Sequence, residues 1–407
     1  MLQRSIFLCL ILMPALATAK PSTEALWALV KKQQAQIEAL QKRLAATEKR
    51  LEKTDQQVAE ADEKIEATVA SLEEQGLGAS PGLGKFHFGS YGSLHYNHLD
   101  DKQEIDLHRF VLNFGYDFTE EIRFYSELEL EHAFAADGKK GEVELEQAYI
   151  DFDLNPQHTA RGGLFLMPVG ILNPTHEPTT FFGVERNQVE TQIIPTTWWE
   201  GGAALYGDFG EGWHYEIDLH SGLDMPTQGS NAYLPRKGRQ NVSEANAKRP
   251  AFTGSLIWRG YPGLEIGGSL QYQTDVTQGQ EDNQAFLGEV HTVLRRGPIG
   301  LKALFAQWNI SGDRPKAIGR DRQYGWYVEP AWYFFDDKVG LFGRYEAWNN
   351  RAGSTRDPNY PGLKKQWTTG INYWPIPEVV LKADYQWQSG DADQNGFNLG
   401  IGYNFSF

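Results

Sequence analysis

Strict alternation of apolar and polar positions dominates the chain from residue 86 to its last residue. In the closing stretch FNLGIGYNFSF, Phe397, Leu399, Ile401, Tyr403, Phe405 and Phe407 share one parity, with Asn, Gly and Ser between them. Successive side chains of a strand point to opposite faces, so this segment has one apolar and one polar face. Chain ends are normally frayed and polar. Apolar alternation to the final residue therefore predicts a strand that is paired to its end. In IRFYSELELEHA, Ile122, Phe124, Leu128 and Leu130 alternate with Arg123, Tyr125, Glu127, Glu129 and Glu131. Glutamates at every second position need water on their side of the sheet.

Runs of this kind predict about sixteen strands, starting near Phe86, Ile105, Ile122, Leu145, Ala160, Gly202, Trp213, Phe252, Leu264, Phe286, Ile299, Tyr324, Val339, Trp367, Val379 and Phe397. In the fourth, the apolar phase slips between Val143 and Leu145 on one parity and Ala148, Ile150 and Phe152 on the other, which predicts a bulge or a strand top projecting beyond the sheet. Tight connections at 119–121, 155–158, 210–212, 261–263, 296–298, 336–337 and 375–377 interleave with mostly longer ones, notably 171–200, 224–250, 311–322 and 350–364. Short turns at one end, long loops at the other and an even strand count predict an all-β fold: an antiparallel transmembrane β-barrel over 86–407. The aromatic clusters TTWWEGG, EPAWYFF and NYWPIP are expected to form interfacial girdles. A sandwich or propeller would leave the terminal aromatic strand and the one-sided loop lengths unexplained.

The N-terminal part has another character. Residues 1–19 read as a signal peptide: an Arg, an apolar run from Ile6 to Leu16, and Ala17-Thr18-Ala19. The single Cys, Cys9, lies inside it, so the rest of the chain has neither disulfides nor thiol chemistry. Over 24–75, Val30, Ile37, Leu44, Leu51, Val58, Ile65 and Leu72 recur every seventh residue, predicting an α-helical coiled coil. The Gly-rich segment 76–85 is its linker to the barrel, and the coil is expected on the short-turn, periplasmic side. A formal net charge of −15 excludes a general nucleic-acid binder.

The stretch SELELEHA…GEVELEQAYIDF, followed by RGGLFLMPVGILNPTHEPTTFFGVERNQVETQIIPTTWWEGG, resembles the phosphate-selective porin O/P family of Gram-negative outer membranes, most specifically over 126–202. The resemblance implies a trimeric, sixteen-stranded, water-filled channel with anion preference created by lumenal Arg and Lys.

A barrel of that size is open unless a loop narrows it. The loop 171–200 is apolar and proline-rich, so it should fold inward, aiming His176, Glu177, Glu185, Arg186 and Glu190 at the channel. Arg109, Arg123, Tyr125, Glu127, Glu129 and Glu131 are expected on the opposite wall. Arg236, Lys237, Arg239, Lys248, Arg249, Arg314, Lys316, Arg320 and Arg322 are expected to make the outer mouth basic. Such a mouth would concentrate anions, or equally bind lipopolysaccharide phosphates or pair with the acidic hairpin. No catalytic motif and no Cys/His metal spacing is present, so neither an enzyme nor a cofactor is expected. The expectation is a homotrimeric outer-membrane porin passing small solutes or ions. A structural anchor whose coil tethers the membrane to peptidoglycan is the alternative.

Overall fold

The computed structural model describes residues 85–133, 141–355, 362–390 and 394–407, with Trp27, Lys31, Gln34 and Gln41 as separate helical positions. The expected signal segment and, apart from those four positions, the expected coiled coil lie outside the described residues. The unit from Gly82 to Phe407 contains sixteen strands. They are β1 (Phe86–Leu99), β2 (Lys102–Asp117), β3 (Ile122–Glu131), β4 (Val143–Asn155), β5 (His158–Leu166) and β6 (Trp199–Phe209). Next come β7 (Trp213–His220), β8 (Ala251–Tyr261), β9 (Leu264–Gln273), β10 (Ala285–Arg296) and β11 (Ile299–Ile310). The last are β12 (Arg322–Phe334), β13 (Val339–Asn349), β14 (Leu363–Ile376), β15 (Val379–Ser389) and β16 (Gly396–Ser406).

Each strand pairs antiparallel with its sequence neighbours, and β16 pairs with β1 from Gly89↔Ser406 to Leu99↔Gly396. The sheet is therefore a closed barrel without free edges. Connections of two to four residues gather at one rim, together with Phe86 and Phe407. The long connections gather at the other, where the two-residue β1–β2 turn is the short exception.

The alternation sorts the faces as physics requires. Outward on β16 are Phe397, Leu399 and Ile401, all exposed, whereas Asn398 points inward, is fully buried, and donates to Asp384 at 2.8 Å and Gln386 at 3.2 Å. Ile105, Leu270, Val290 and Trp367 continue the outer apolar band around the barrel. A band of this extent is far larger than the patches water-facing monomers tolerate and matches hydrocarbon instead.

The phase slip in β4 is a bulge. Glu127 pairs with Gln147 but Leu128 pairs with Leu145, leaving Glu146 as the extra residue. Glu146 and Gln147 consequently both face the lumen, while Leu145 and Phe152 stay outside. A second bulge lies in β2, where Ser93 pairs with Arg109 and Leu94 with Leu107. His108 and Arg109 therefore both turn inward between outward-facing Leu107 and Phe110.

One expected girdle is overturned. Trp198 and Trp199 of TTWWEGG are buried (0% and 2% exposed) beneath the long loops, because this segment returns through the barrel interior before β6 begins. Trp332 and Phe335 remain exposed near the short-turn rim, as girdle residues should.

Because the β4 bulge is an addition to an otherwise regular alternation, deleting Glu146 should leave every other residue on its present face. The variant should still fold, seen as a heat-modifiable band on a semi-native gel. Loss of that band would show the extra residue to be required for closure.

Candidate channel constriction

The connection 167–198 leaves β5 and folds into the barrel. Its composition forces this: Val169, Phe181, Phe182, Val184, Val189, Ile193, Ile194 and Trp198 are all buried, and each would be exposed in a loop standing in water. The wall makes room with glycine. A Cβ on Gly340 would lie 2.6 Å from Phe182, one on Gly402 2.6 Å from Pro178, and one on Gly325 2.9 Å from Val189. Those are distances no side chain could occupy.

Polar groups of the loop backbone, cut off from water, must find partners on the wall. Lys382 Nζ donates to the carbonyls of Phe181 (3.0 Å) and Gly183 (2.8 Å), and Asn372 Nδ2 donates to Phe181 (3.0 Å). The Val184 N–H donates to Asp384 at 2.6 Å. Arg344 donates to the Phe182 carbonyl at 3.3 Å while paired with Glu329 at 3.0 Å. Strands β13 to β15 thus grip the far side of the loop.

The near side hangs on Glu190, in the one-turn helix α1 (Val189–Gln192). Its carboxylate accepts the N–H groups of Ile171 (2.7 Å) and Leu172 (2.6 Å), the Asn187 amide (2.9 Å) and the Tyr327 hydroxyl (2.9 Å). Burial pushes this carboxyl upward, and the four donors oppose that push. Glu190 is fully buried and turned away from the open space.

The loop 221–250 also turns inward. Leu223, Met225 and Tyr233 join Ile193, Trp198, Leu287, Trp308 and Trp348 in an apolar core inside the barrel. Three cations expected at the outer mouth follow these loops inward. Arg236 donates to the Thr196 carbonyl, Arg239 to the Thr197 carbonyl, and buried Arg320 to the carbonyls of Ala232 and Ser230. Lys237, Lys248, Arg249, Lys316 and Arg322 are exposed, and Arg314 pairs with Glu281 at 2.6 Å.

The space left beside the loop is lined by charge. A cavity of about 250 Å³ on the long-loop side is bounded by Asn97, Lys102, His108, Glu185, Arg186 and Arg236, among others. An adjoining space of about 210 Å³ shares Gln188 and Gln394 with it. Deeper, the room falls to about 20 Å³ between His95, His108, Arg109, His176, Glu185 and Arg186. His108, Glu185 and Arg186 border both the wide and the narrow part, so they mark the constriction.

Glu185 lies 3.1 Å from His95 Nδ1 and accepts from Asn97 Nδ2 at 3.0 Å. Enclosure raises its carboxyl, but the His95 and Asn97 bonds and the nearby His108 outweigh this and hold it below the usual carboxylate range. Among the described residues Arg186 makes no ion pair. The narrow space is therefore bordered by one carboxylate and by one guanidinium that has no ion pair among the described residues.

The glutamate row on the wall is enclosed. Arg109 Nε sits 2.9 Å from Glu129, and its Nη2 lies 3.8 Å from Glu131 and 3.9 Å from Glu146. The Tyr91 hydroxyl donates to Glu127 and lies 2.8 Å from His176, which is 3.3 Å from Glu146. His176 borders the narrow space but is 3% exposed, while Glu177 is half-buried. Arg123 bonds Asp153 (2.8 Å) near the short-turn rim, and Tyr125 packs against Tyr149 with ring centroids 5.4 Å apart. Of the expected channel residues, Glu185 and Arg186 thus meet at the open gap. Four more come from outside that set or from another expected group: Lys102, His95, His108 and the loop cation Arg236. For His108 the available signal was the Leu107–Phe110 spacing, which breaks alternation and marks the bulge.

A closed sixteen-stranded barrel narrowed by the loop between its fifth and sixth strands defines a porin-type fold. Solved structures agree: the anion-selective porin from Comamonas acidovorans has a TM-score of 0.54 at 12% identity, covering 78% of this chain and 98% of that one. OmpF of Salmonella typhi, in complex with daunomycin, gives 0.54 at 13%, covering 79% and 97%. OmpT of Vibrio cholerae in its trimer form gives 0.52 at 11%, covering 79% and 98%. No family model matches the chain. It is 33% identical over 332 residues to an uncharacterized protein of Aquifex aeolicus (strain VF5), covering 73% of this chain and 74% of that protein, and it belongs to that protein's family.

Replacing Glu190 with Ala strands two buried backbone N–H groups and the Tyr327 hydroxyl, at a cost of about 2–3 kcal/mol in loop docking. Limited proteolysis should then cut within 167–198 at a protease concentration that leaves the native protein whole. Equal resistance would mean that the Lys382, Asn372 and Asp384 contacts hold the loop unaided.

Proposed function

We propose that the protein is an outer-membrane porin, a passive diffusion channel for small hydrophilic solutes or ions. The observation that carries this reading is the charged gap at Glu185 and Arg186, which joins wide and narrow spaces inside a closed barrel belted by apolar residues. A band of that kind belongs in hydrocarbon, and a polar lumen crossing it serves solutes that lipid excludes. Residues 1–19 supply the export signal. A neighbour solved as a trimer supports a homotrimer, with lipopolysaccharide around its outer face and the coiled coil in the periplasm, where it could reach peptidoglycan.

The finer reading is anion preference, with phosphate among the anions to test. Around the upper cavity stand Lys102, Arg186 and Arg236 against the single carboxylate Glu185. The glutamates that would favour cations, Glu127, Glu129 and Glu146, are buried and engaged with Arg109, Tyr91 and His176. Lys102 pairs with Glu104 at 2.8 Å and Arg236 donates to the Thr196 carbonyl, which leaves Arg186 to act most directly on the permeating ion, in a space with low-dielectric walls that focus the field.

Purified protein in a planar bilayer under a tenfold KCl gradient should show stepwise conductance with a reversal potential favouring chloride. The double variant Arg186→Glu, Arg236→Glu should move that potential toward potassium, and added phosphate should reduce the native chloride current. A cation-favouring native channel would overturn the anion reading while leaving the porin. Folded protein without conductance steps would overturn the porin and leave the tethering anchor.

A further inference from the structure

Ten histidines are scattered through the sequence without metal-ligand spacing, yet the barrel gathers several on the lumen wall at the long-loop rim. Asp106 and His108 lie on β2, and His132 follows the end of β3. Three features bring them together. Asp106 and His108, two apart on β2, share its inward face, and the bulge adds Arg109 beside them. The antiparallel pairing of β2 and β3 puts the end of β3 beside them. Finally, the His132 N–H donates to the His108 carbonyl at 3.2 Å and the Ala133 N–H to the Leu107 carbonyl at 3.1 Å, which clamps the turn over β2.

We propose that Asp106, His108 and His132 form a binding site for a borderline divalent transition-metal ion such as zinc, at the outer end of the lumen. The Asp106 carboxylate lies 2.7 Å from His132 Nδ1 and 3.5 Å from His108 Nδ1, and one ligand atom from each residue lies within 4.8 Å of the others. Donors around a tetrahedral zinc, at bond lengths of ~2.0–2.2 Å, stand ~3.3 Å apart. The three atoms therefore need only small rotamer shifts to share an ion. The ion takes the Nδ1 lone pairs in place of the protons directed at Asp106, and each neutral imidazole then carries its proton on Nε2. Two nitrogens and one oxygen select zinc, nickel or copper over magnesium and calcium, which prefer all-oxygen shells.

The surroundings suit an exchangeable site. Side-chain exposures of 18%, 29% and 39% for Asp106, His108 and His132 leave a path from the mouth and a fourth position for water. The His95 ring stacks on His108 with centroids 4.7 Å apart and contacts Glu185 of the constriction loop, fixing the His108 ring plane. A second trio with similar spacing, Glu127, Glu146 and His176, is almost fully buried and already engaged with Tyr91 and Arg109. A third, Glu129, Glu131 and Glu144, offers carboxylates alone, so the rim trio is the one that joins access with imidazole ligands. This site goes beyond the channel reading and stands whether or not the barrel conducts.

Calorimetric titration of zinc chloride into the untagged full chain in detergent tests it. A single zinc per chain is expected, reversed by EDTA and not matched by magnesium chloride. His132→Ala and, separately, Asp106→Asn should weaken binding ~10-fold or more, with folding checked by gel mobility. His214→Ala, which removes a His–Asp208 pair at the opposite rim, should bind as the native chain does. Absence of zinc binding in the native chain, equal binding by folded His132→Ala, or magnesium binding of equal strength would each overturn the site.

Discussion

The antiparallel pairing of β16 with β1 is the contact on which the rest of the molecule depends. An apolar band cannot face hydrocarbon if the sheet carrying it has a free edge, because unpaired N–H and C=O groups find no partner there. Closure satisfies the backbone of all sixteen strands at once. It also creates an inside, and everything specific to this protein happens there.

What fills that inside is not a uniform water column. Two long loops turn inward and build an apolar core around Trp198, Trp308 and Trp348, so part of the lumen is filled by buried side chains. The remaining open space lies beside Glu185 and Arg186 of the loop. Charged and amide side chains on β13 to β15 bind the loop's own carbonyls and N–H groups, because a loop enclosed in the barrel has lost water as a partner. Lys382 and Arg344 therefore serve as fastenings even though they are lumenal cations. A count of basic residues on the strands would misjudge the field.

The two bulges add to this economy of position. Each inserts a second consecutive inward residue, Arg109 beside His108 and Gln147 beside Glu146, without moving an apolar neighbour off the outer face. The buried cluster of Arg109, Glu129, Glu146, Tyr91 and His176 depends on both of them. His108, at the β2 bulge, borders the constriction on one side and Asp106 on the other.

From sequence alone the barrel was legible to within four residues at every strand start, since alternation, turn chemistry and loop length are local signals and sheet pairing follows them. The inward fold of 167–198 was legible too, because its apolar content rules out life in water. The β4 bulge showed itself as a break in phase. What the tertiary structure alone decided is which charges meet. Arg236 enters the cavity, Glu190 becomes a buried anchor, Glu129 pairs with Arg109, and Glu127 accepts from Tyr91. Asp106 and His108 of β2 converge with His132 from the turn after β3. Period-two patterning states which face a residue occupies and says nothing of what stands opposite. That depends on register, bulges and the path of loops through the lumen, which are properties of the closed barrel as a whole.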